Sequence, residues 1–186
     1  TAGGTGGHIY PALAIIKKML AKEPKTKVLY IGTHNRMEKD IVPNEGIDFI
    51  PLKIYGFNTN TPIQNIKNVF YISKAYQKSL AIIKDFKPDI VIGVGGYVAY
   101  PVIKAAHKLG VKTLIHEQNA IPGKANKALA KFTDVIAVSF PETKKSFPKN
   151  TVYVTGNPCG ERALNIKKIP KSKYHLDPHK KLVLVV

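Results

Sequence analysis

The chain opens on Thr1-Ala2-Gly3-Gly4-Thr5-Gly6-Gly7-His8, and an apolar helical pattern, Ala12-Leu13-Ala14-Ile15-Ile16 to Met19-Leu20, follows closely. Glycine has no Cβ, so its backbone takes positive φ and approaches a ligand closely. A glycine turn that feeds a helix N-terminus points unpaired N–H groups at one spot. The positive end of the helix dipole makes that spot favourable for phosphate. A plain tight turn is the alternative, but it needs one or two glycines rather than four and has no use for a histidine. The two commonest phosphate motifs do not fit. Ile9 stands where the third glycine of G-x-G-x-x-G belongs, and the next strand pattern, Val28-Leu29-Tyr30-Ile31, ends in Gly32-Thr33-His34 rather than in an acid that holds a ribose. No G-x-x-x-x-G-K-[ST] occurs anywhere.

Beyond the turn, short apolar runs alternate with helical patterns. Helices are expected near Pro11–Ala21, Asn35–Val42, Pro62–Asp85, Pro101–Leu109 and Gly123–Lys131, with a short one near Glu142–Ser146. Strands are expected at Val28–Ile31, Asp48–Leu52, Ile90–Ile92, Thr113–His116, Val135–Val138 and Val152–Thr155. Continuous apolar strands between helices indicate an α/β fold, a Rossmann-like parallel sheet with helices on both faces. Both ends read as cut. The chain starts inside the turn, with no strand leading into it. It finishes on Lys181-Leu182-Val183-Leu184-Val185-Val186, a buried-strand pattern with nothing after it. The expectation is a piece of a longer protein that lacks the first strand.

In sheets of this kind ligands sit outside the carboxyl ends of the strands. Three polar clusters fall there, two of them glycine-bearing: Gly3–His8, Gly93-Val94-Gly95-Gly96-Tyr97 and His116-Glu117-Gln118-Asn119. The second repeats the logic of the first, and two anion cradles on one edge suit a diphosphate. Its glycines also serve if they only let strand and helix pack. The third places amide and carboxylate groups where they read sugar hydroxyls or a nucleotide, or cap the following helix. His8 is a candidate general base, since imidazole titrates near neutral pH. It serves equally as a phosphate donor or a loop cap. The order His-Glu-x-x-Ala fails the zinc pattern H-E-x-x-H, and the remaining histidines lack ligand spacing, so no metal site and no cofactor are expected.

Net charge is +17 over 186 residues, and only Arg36 and Arg162 are arginines. Such a chain is drawn to anions, yet scarce arginine and dispersed lysines speak against nucleic acid as the partner. The single cysteine, Cys159, allows no disulfide framework within the chain. The Pro62–Asp85 pattern carries Ile63, Ile66, Val69, Phe70, Tyr71, Ile72 and Tyr76 between Lys67, Lys74 and Lys78. That is more large apolar surface than one buried stripe needs, so this is either a core helix or one that lies on an anionic membrane surface.

The motifs occur in a recognisable order. Gly3-Gly4-Thr5-Gly6-Gly7-His8-Ile9-Tyr10-Pro11-Ala12 leads to Arg36-Met37-Glu38, Val42-Pro43 and Lys87-Pro88-Asp89. Gly95-Gly96-Tyr97-Val98, His116-Glu117-Gln118-Asn119, Pro122-Gly123, Asn126-Lys127 and Gly156-Asn157-Pro158 follow. In this the chain resembles the amino-terminal half of the MurG family of peptidoglycan N-acetylglucosaminyltransferases, from its first residue to its last. The resemblance implies two Rossmann-like domains facing a cleft, the GT-B arrangement. It implies inverting transfer of N-acetylglucosamine (GlcNAc) from UDP-GlcNAc to the C4 hydroxyl of the muramic acid in lipid I, giving lipid II, on the cytoplasmic face of the bacterial membrane as a peripheral protein. It further implies that Thr5, Gly6, Gly7 and Asn119 reach the donor, and that His8 and Tyr97 act in catalysis or acceptor binding. Gly3, Gly4, Gly95 and Gly96 would lie by the acceptor diphosphate, supported by Glu117 and Gln118. Ile66, Lys67, Phe70 and Lys74 would face the membrane. Residues 1–160 would form the acceptor domain, 161–180 a connection, and 181–186 the first strand of a donor domain. One departure stands out. The family pattern Gly-Asn-Pro-x-Arg reads here Gly156-Asn157-Pro158-Cys159-Gly160-Glu161-Arg162, so no donor role passes to Gly160 or Arg162. Other nucleotide-sugar enzymes of the same architecture, a diacylglycerol glycosyltransferase or a UDP-GlcNAc 2-epimerase, share a glycine loop but should lack the combined Gly-Gly-Tyr and His-Glu-Gln-Asn motifs.

Overall fold

The structure, a computed structural model, describes residues 1–56, 62–160, 169–177 and 179–183, with the backbone alone described over 62–67. Its elements are α1 (Gly6–Lys22), β1 (Leu29–Thr33), α2 (Glu38–Asn44), β2 (Asp48–Leu52), α3 (Pro62–Phe86), β3 (Ile90–Gly93), α4 (Ala99–Lys108), β4 (Lys112–Glu117), α5 (Lys124–Leu129), β5 (Val135–Val138) and β6 (Thr151–Val154). Short 3₁₀ helices cover Ala130–Phe132, Pro141–Ser146 and Lys171–Tyr174.

The expected α/β alternation is present, with three corrections. First, α1 starts at Gly6, well before Pro11. The N–H groups of a helix's first turn have no intrahelical acceptor, so the glycines at its start forgo no bond. Pro11 lies inside the helix and leaves the carbonyl of Gly7 without its i→i−4 donor. Second, every strand pair is parallel, but the strands form two sheets, β1-β2 and β3-β4-β5-β6, rather than one. Third, Lys181–Val183 shows no strand, and the rest of that pattern lies outside the described residues.

The gap between the sheets has a definite content. Thr1 lies alongside β3: its backbone nitrogen donates to Ile92 O at 2.6 Å, and its carbonyl accepts from Val94 N at 2.9 Å. Elsewhere the gap is a cavity of about 460 Å³ lined by Ile16, Leu29, Ile31, Ile90 and Ile92. Lys25–Val28 and Phe86–Asp89, which lead into the amino ends of β1 and β3, also line it. It therefore lies toward the amino ends of these strands, away from the carboxyl edge where ligands sit in such sheets.

Strand alternation sends neighbouring residues into two separate cores, one on each side of the strands. Tyr30 joins Ile9, Leu13, Val42 and Val94 beneath α1 and α2, and Ile92 packs against that cluster. Ile31 and Val91 join Ile83, Val102, Ile103, Ile115 and Ile136 beneath α3 and α4. This burial on both faces holds the carboxyl ends of β1, β3 and β4 in place for the loops they carry.

Candidate active site

The first glycine turn is held from below. Gly4 has φ +99°, which L side chains rarely adopt. Its N–H reaches both carboxylate oxygens of Glu38, at 3.3 Å each. Gly4 therefore has no N–H left for a ligand. A Cβ on Gly3 would overlap that same carboxylate. Gly4, expected to cradle a diphosphate, thus spends its N–H on seating the turn. The donors that face outward come next in the chain. Gly6 and Gly7 lie in the first turn of α1, where the helix itself supplies no acceptor for their N–H groups. Thr5 precedes them in extended geometry, and its carbonyl accepts from the N–H groups of His8 and Ile9 at 3.1 and 3.2 Å.

His8 joins the first loop to the second. Its Nδ1 lies 3.2 Å from Thr5 Oγ1, and its ring packs so closely on Gly95 that a Cβ there would overlap it. Burial pushes the imidazole below its ordinary value of 6.5, and the carboxylates of Glu117 and Glu38 oppose that shift. A half-buried imidazole that stays neutral keeps a lone pair for a proton. The second loop is a close-approach turn: Gly95 and Gly96 have φ +106° and +82°, and a Cβ on Gly96 would overlap the backbone of Gly3. Tyr97 is half-buried, and its ring lies against Gly4 and Gly56.

The third cluster divides by role. Glu117 is 1% exposed, and its carboxylate accepts from Asn119 N and Nδ2 (2.9 Å each), Gly123 N (2.9 Å) and Asn126 Nδ2 (3.0 Å). Gln118 donates to Val94 O at 2.8 Å, which ties this loop to the second. His116 Nε2 lies 3.1 Å from Gly156 O. A carbonyl only accepts, so Nε2 carries the proton, and burial holds this imidazole below its ordinary value too. Only Asn119 of this run is exposed to solvent, with its Nδ2 anchored on Glu117. Glu117 is thus spent on its own loop, on the N–H of Gly123 just before α5 and on Asn126, and Asn119 is exposed.

The structure therefore brings together Gly3, Gly4, Thr5, Gly6, Gly7, His8, Gly95, Gly96, Tyr97, Glu117, Gln118 and Asn119 at one edge. Phe70 and Lys74 lie apart from them on α3. Phe70 is 57% exposed, and the Lys74 ammonium lies 4.5 Å from its ring centroid. The side chains of Ile66 and Lys67 lie outside the described residues, as does Arg162. The sequence motifs contain Glu38 and Asn126 but point to no role for either, because a polar residue near a helix start looks like an ordinary surface acid or amide. Among the described residues no three His, Cys, Asp or Glu side chains gather as metal ligands.

Comparison with known proteins follows this geometry. The family model for the glycosyltransferase family 28 N-terminal domain matches residues 1–138, which include all three loops. The chain belongs to glycosyltransferase family 28. Among curated family 28 relatives, the UDP-N-acetylglucosamine–N-acetylmuramyl-(pentapeptide) pyrophosphoryl-undecaprenol N-acetylglucosamine transferase of Bacillus pumilus is 47% identical over the whole chain and 51% of its own length. The protein of the same name from Bacillus subtilis is 45% identical over the same shares. The chain thus spans about half the length of the curated relatives it matches. The crystal structure of Acinetobacter baumannii MurG aligns with a TM-score of 0.68 at 33% identity, covering 84% of this chain and 43% of that one. A UDP-GlcNAc 2-epimerase from Neisseria meningitidis, bound to UDP-GlcNAc, aligns with a TM-score of 0.60 over 83% of this chain and 44% of its own. At 19% identity it shares the fold alone.

Proposed function

We propose that the polypeptide carrying this sequence transfers GlcNAc from UDP-GlcNAc to the C4 hydroxyl of the muramic acid in lipid I, with inversion, and that this chain supplies the acceptor side of the cleft. The single observation that carries the reading is identity of 43–47% to transferases of that name over the whole of this chain. The geometry supports it. In inverting transfer the acceptor oxygen attacks the anomeric carbon as the bond to the UDP oxygen breaks. The hydroxyl proton must go to a base, and the departing diphosphate must meet N–H groups or positive charge. His8, half-buried and biased toward its neutral form, takes the proton. Thr5, Gly6, Gly7 and Asn119 reach the donor, and the positive end of α1 faces the developing charge. Gly95, Gly96 and Tyr97 lie along the acceptor diphosphate, while Glu117 and Gln118 hold the loops. In this reading residues 1–160 form the acceptor domain, 161–180 the connection and 181–186 the start of the donor domain.

Docking on an anionic membrane, at its cytoplasmic face, is part of the same proposal. Phe70 and Val69 are exposed on α3 beside Lys74, and no described helix is long and apolar enough to cross a membrane. An interfacial helix combines such a face with nearby lysines.

The test is transfer of labelled GlcNAc to a short-chain lipid I analogue by the full-length polypeptide and its His8→Ala variant. A loss of turnover of about 10²-fold or more, with donor affinity kept, is expected of a lost general base. Near-normal turnover by the variant removes His8 from that role. Release of UDP and a 2-epimerised sugar by the wild type, without transfer, replaces the reading with an epimerase.

A further inference from the structure

We propose that Glu38 is a positioning residue for this transfer: its buried carboxylate holds the first glycine turn against the end of β1, so that the start of α1 and His8 face the cleft. The inference rests on the transfer reading above for its kinetic readout and on geometry for the rest. Glu38 is 0% exposed. Its Oε1 accepts from Thr33 N at 2.9 Å and Thr33 Oγ1 at 2.6 Å, and both oxygens face Gly4 N at 3.3 Å. Among the described residues no Lys, Arg or His lies within ion-pairing distance of it.

A buried carboxylate with no cation is costly to keep. Two features make room for this one. A Cβ on Gly3 would overlap its carboxylate, and a Cβ on Gly32 would come within 2.7 Å of its Cγ. A glycine on the turn and a glycine on β1 thus flank one acid. That acid is the only described side chain hydrogen-bonded to both the turn and the strand end. It does not touch the cleft, so it acts through Gly4 and through its field at His8.

The experiment uses the full-length polypeptide with Glu38→Gln, nearly the same shape but with one acceptor fewer. Expected are a fall in kcat of roughly 10- to 100-fold, as a small misplacement of reacting groups produces, and a KM for UDP-GlcNAc within about 3-fold of wild type. By NMR the Gly4 amide should exchange with solvent about 10-fold faster, since it must share the one remaining acceptor oxygen with Thr33 N and Oγ1. The His8 imidazole should titrate lower, because one of the two carboxylates that oppose its burial is gone. Glu38→Asp, which keeps the charge, should restore the His8 titration. A kcat within 2-fold of wild type, or an unchanged Gly4 amide, overturns the proposal. If the wild type transfers no GlcNAc, the functional reading fails, and the Gly4 and His8 signals decide Glu38 by themselves. If Glu38→Gln does not fold, Thr33→Val removes one donor to the same carboxylate. It should show a smaller kcat loss with KM kept, and unaltered kcat there overturns the proposal.

Discussion

The two glycine turns look alike in sequence but are built for different reasons. In the first, Gly4 adopts positive φ and spends its N–H on Glu38, while Gly6 and Gly7 are ordinary helical residues whose N–H groups face outward. In the second, Gly95 and Gly96 both adopt positive φ, and both are pressed against the first turn, one by the His8 ring and one by the Gly3 backbone. The first turn presents donors, and the second clamps it. Glycine count therefore says little about which residues meet a ligand. What matters is whether the N–H is already taken and whether a Cβ would have space.

This contrast is open to attack by substitution. Gly96→Ala should be the most damaging, since φ +82° strains a non-glycine residue by about 1–3 kcal/mol and the added Cβ also collides with backbone. Gly7→Ala, where the nearest heavy atom to a new Cβ is Thr5 Oγ1 at 3.8 Å, should be neutral or stabilising by up to about 1 kcal/mol. Urea titration of both variants breaks the comparison if they shift alike. Next in size is Glu117→Gln. Four N–H bonds now converge on that carboxylate, and an amide nitrogen cannot accept them, so a loss of about 1–3 kcal/mol is expected. Its midpoint in the same titration checks this.

The pH dependence follows from the histidines. Burial lowers both His8 and His116 below 6.5, so below that pH the unfolded chain binds more protons than the folded one. The contribution of these two histidines should therefore be fully present above about pH 6.5 and decline as pH falls below it. His116→Gln keeps a donor for Gly156 O and should flatten part of the slope in thermal melts across pH 5–8. Smallest in stability is Phe70→Asp on exposed α3, within about 0.5 kcal/mol of wild type. On the proposed membrane reading, its binding to vesicles of anionic lipid should nonetheless fall about 10-fold in a sedimentation assay. Unchanged vesicle binding would leave the α3 face without that role.

Much of this protein was legible along the chain. Alternating apolar runs and helical patterns specify parallel strands buried on both faces, because burial of that kind needs a continuous apolar strand between helices. The three loops were legible as well, since glycines and polar groups at strand ends are local signals, and their order carried the family. The jobs within those loops were not. Glu38 sits 34 residues from the glycine whose N–H it accepts, Gly96 packs on the backbone of Gly3 in the neighbouring loop, and Glu117 is buried while Asn119, two residues on, is exposed. Such pairings depend on which residues the fold brings together and on how much space a missing Cβ leaves between them. Residue order determined the elements and the edge where chemistry gathers. Only tertiary packing decided which N–H groups are spent inside and which remain to meet a substrate.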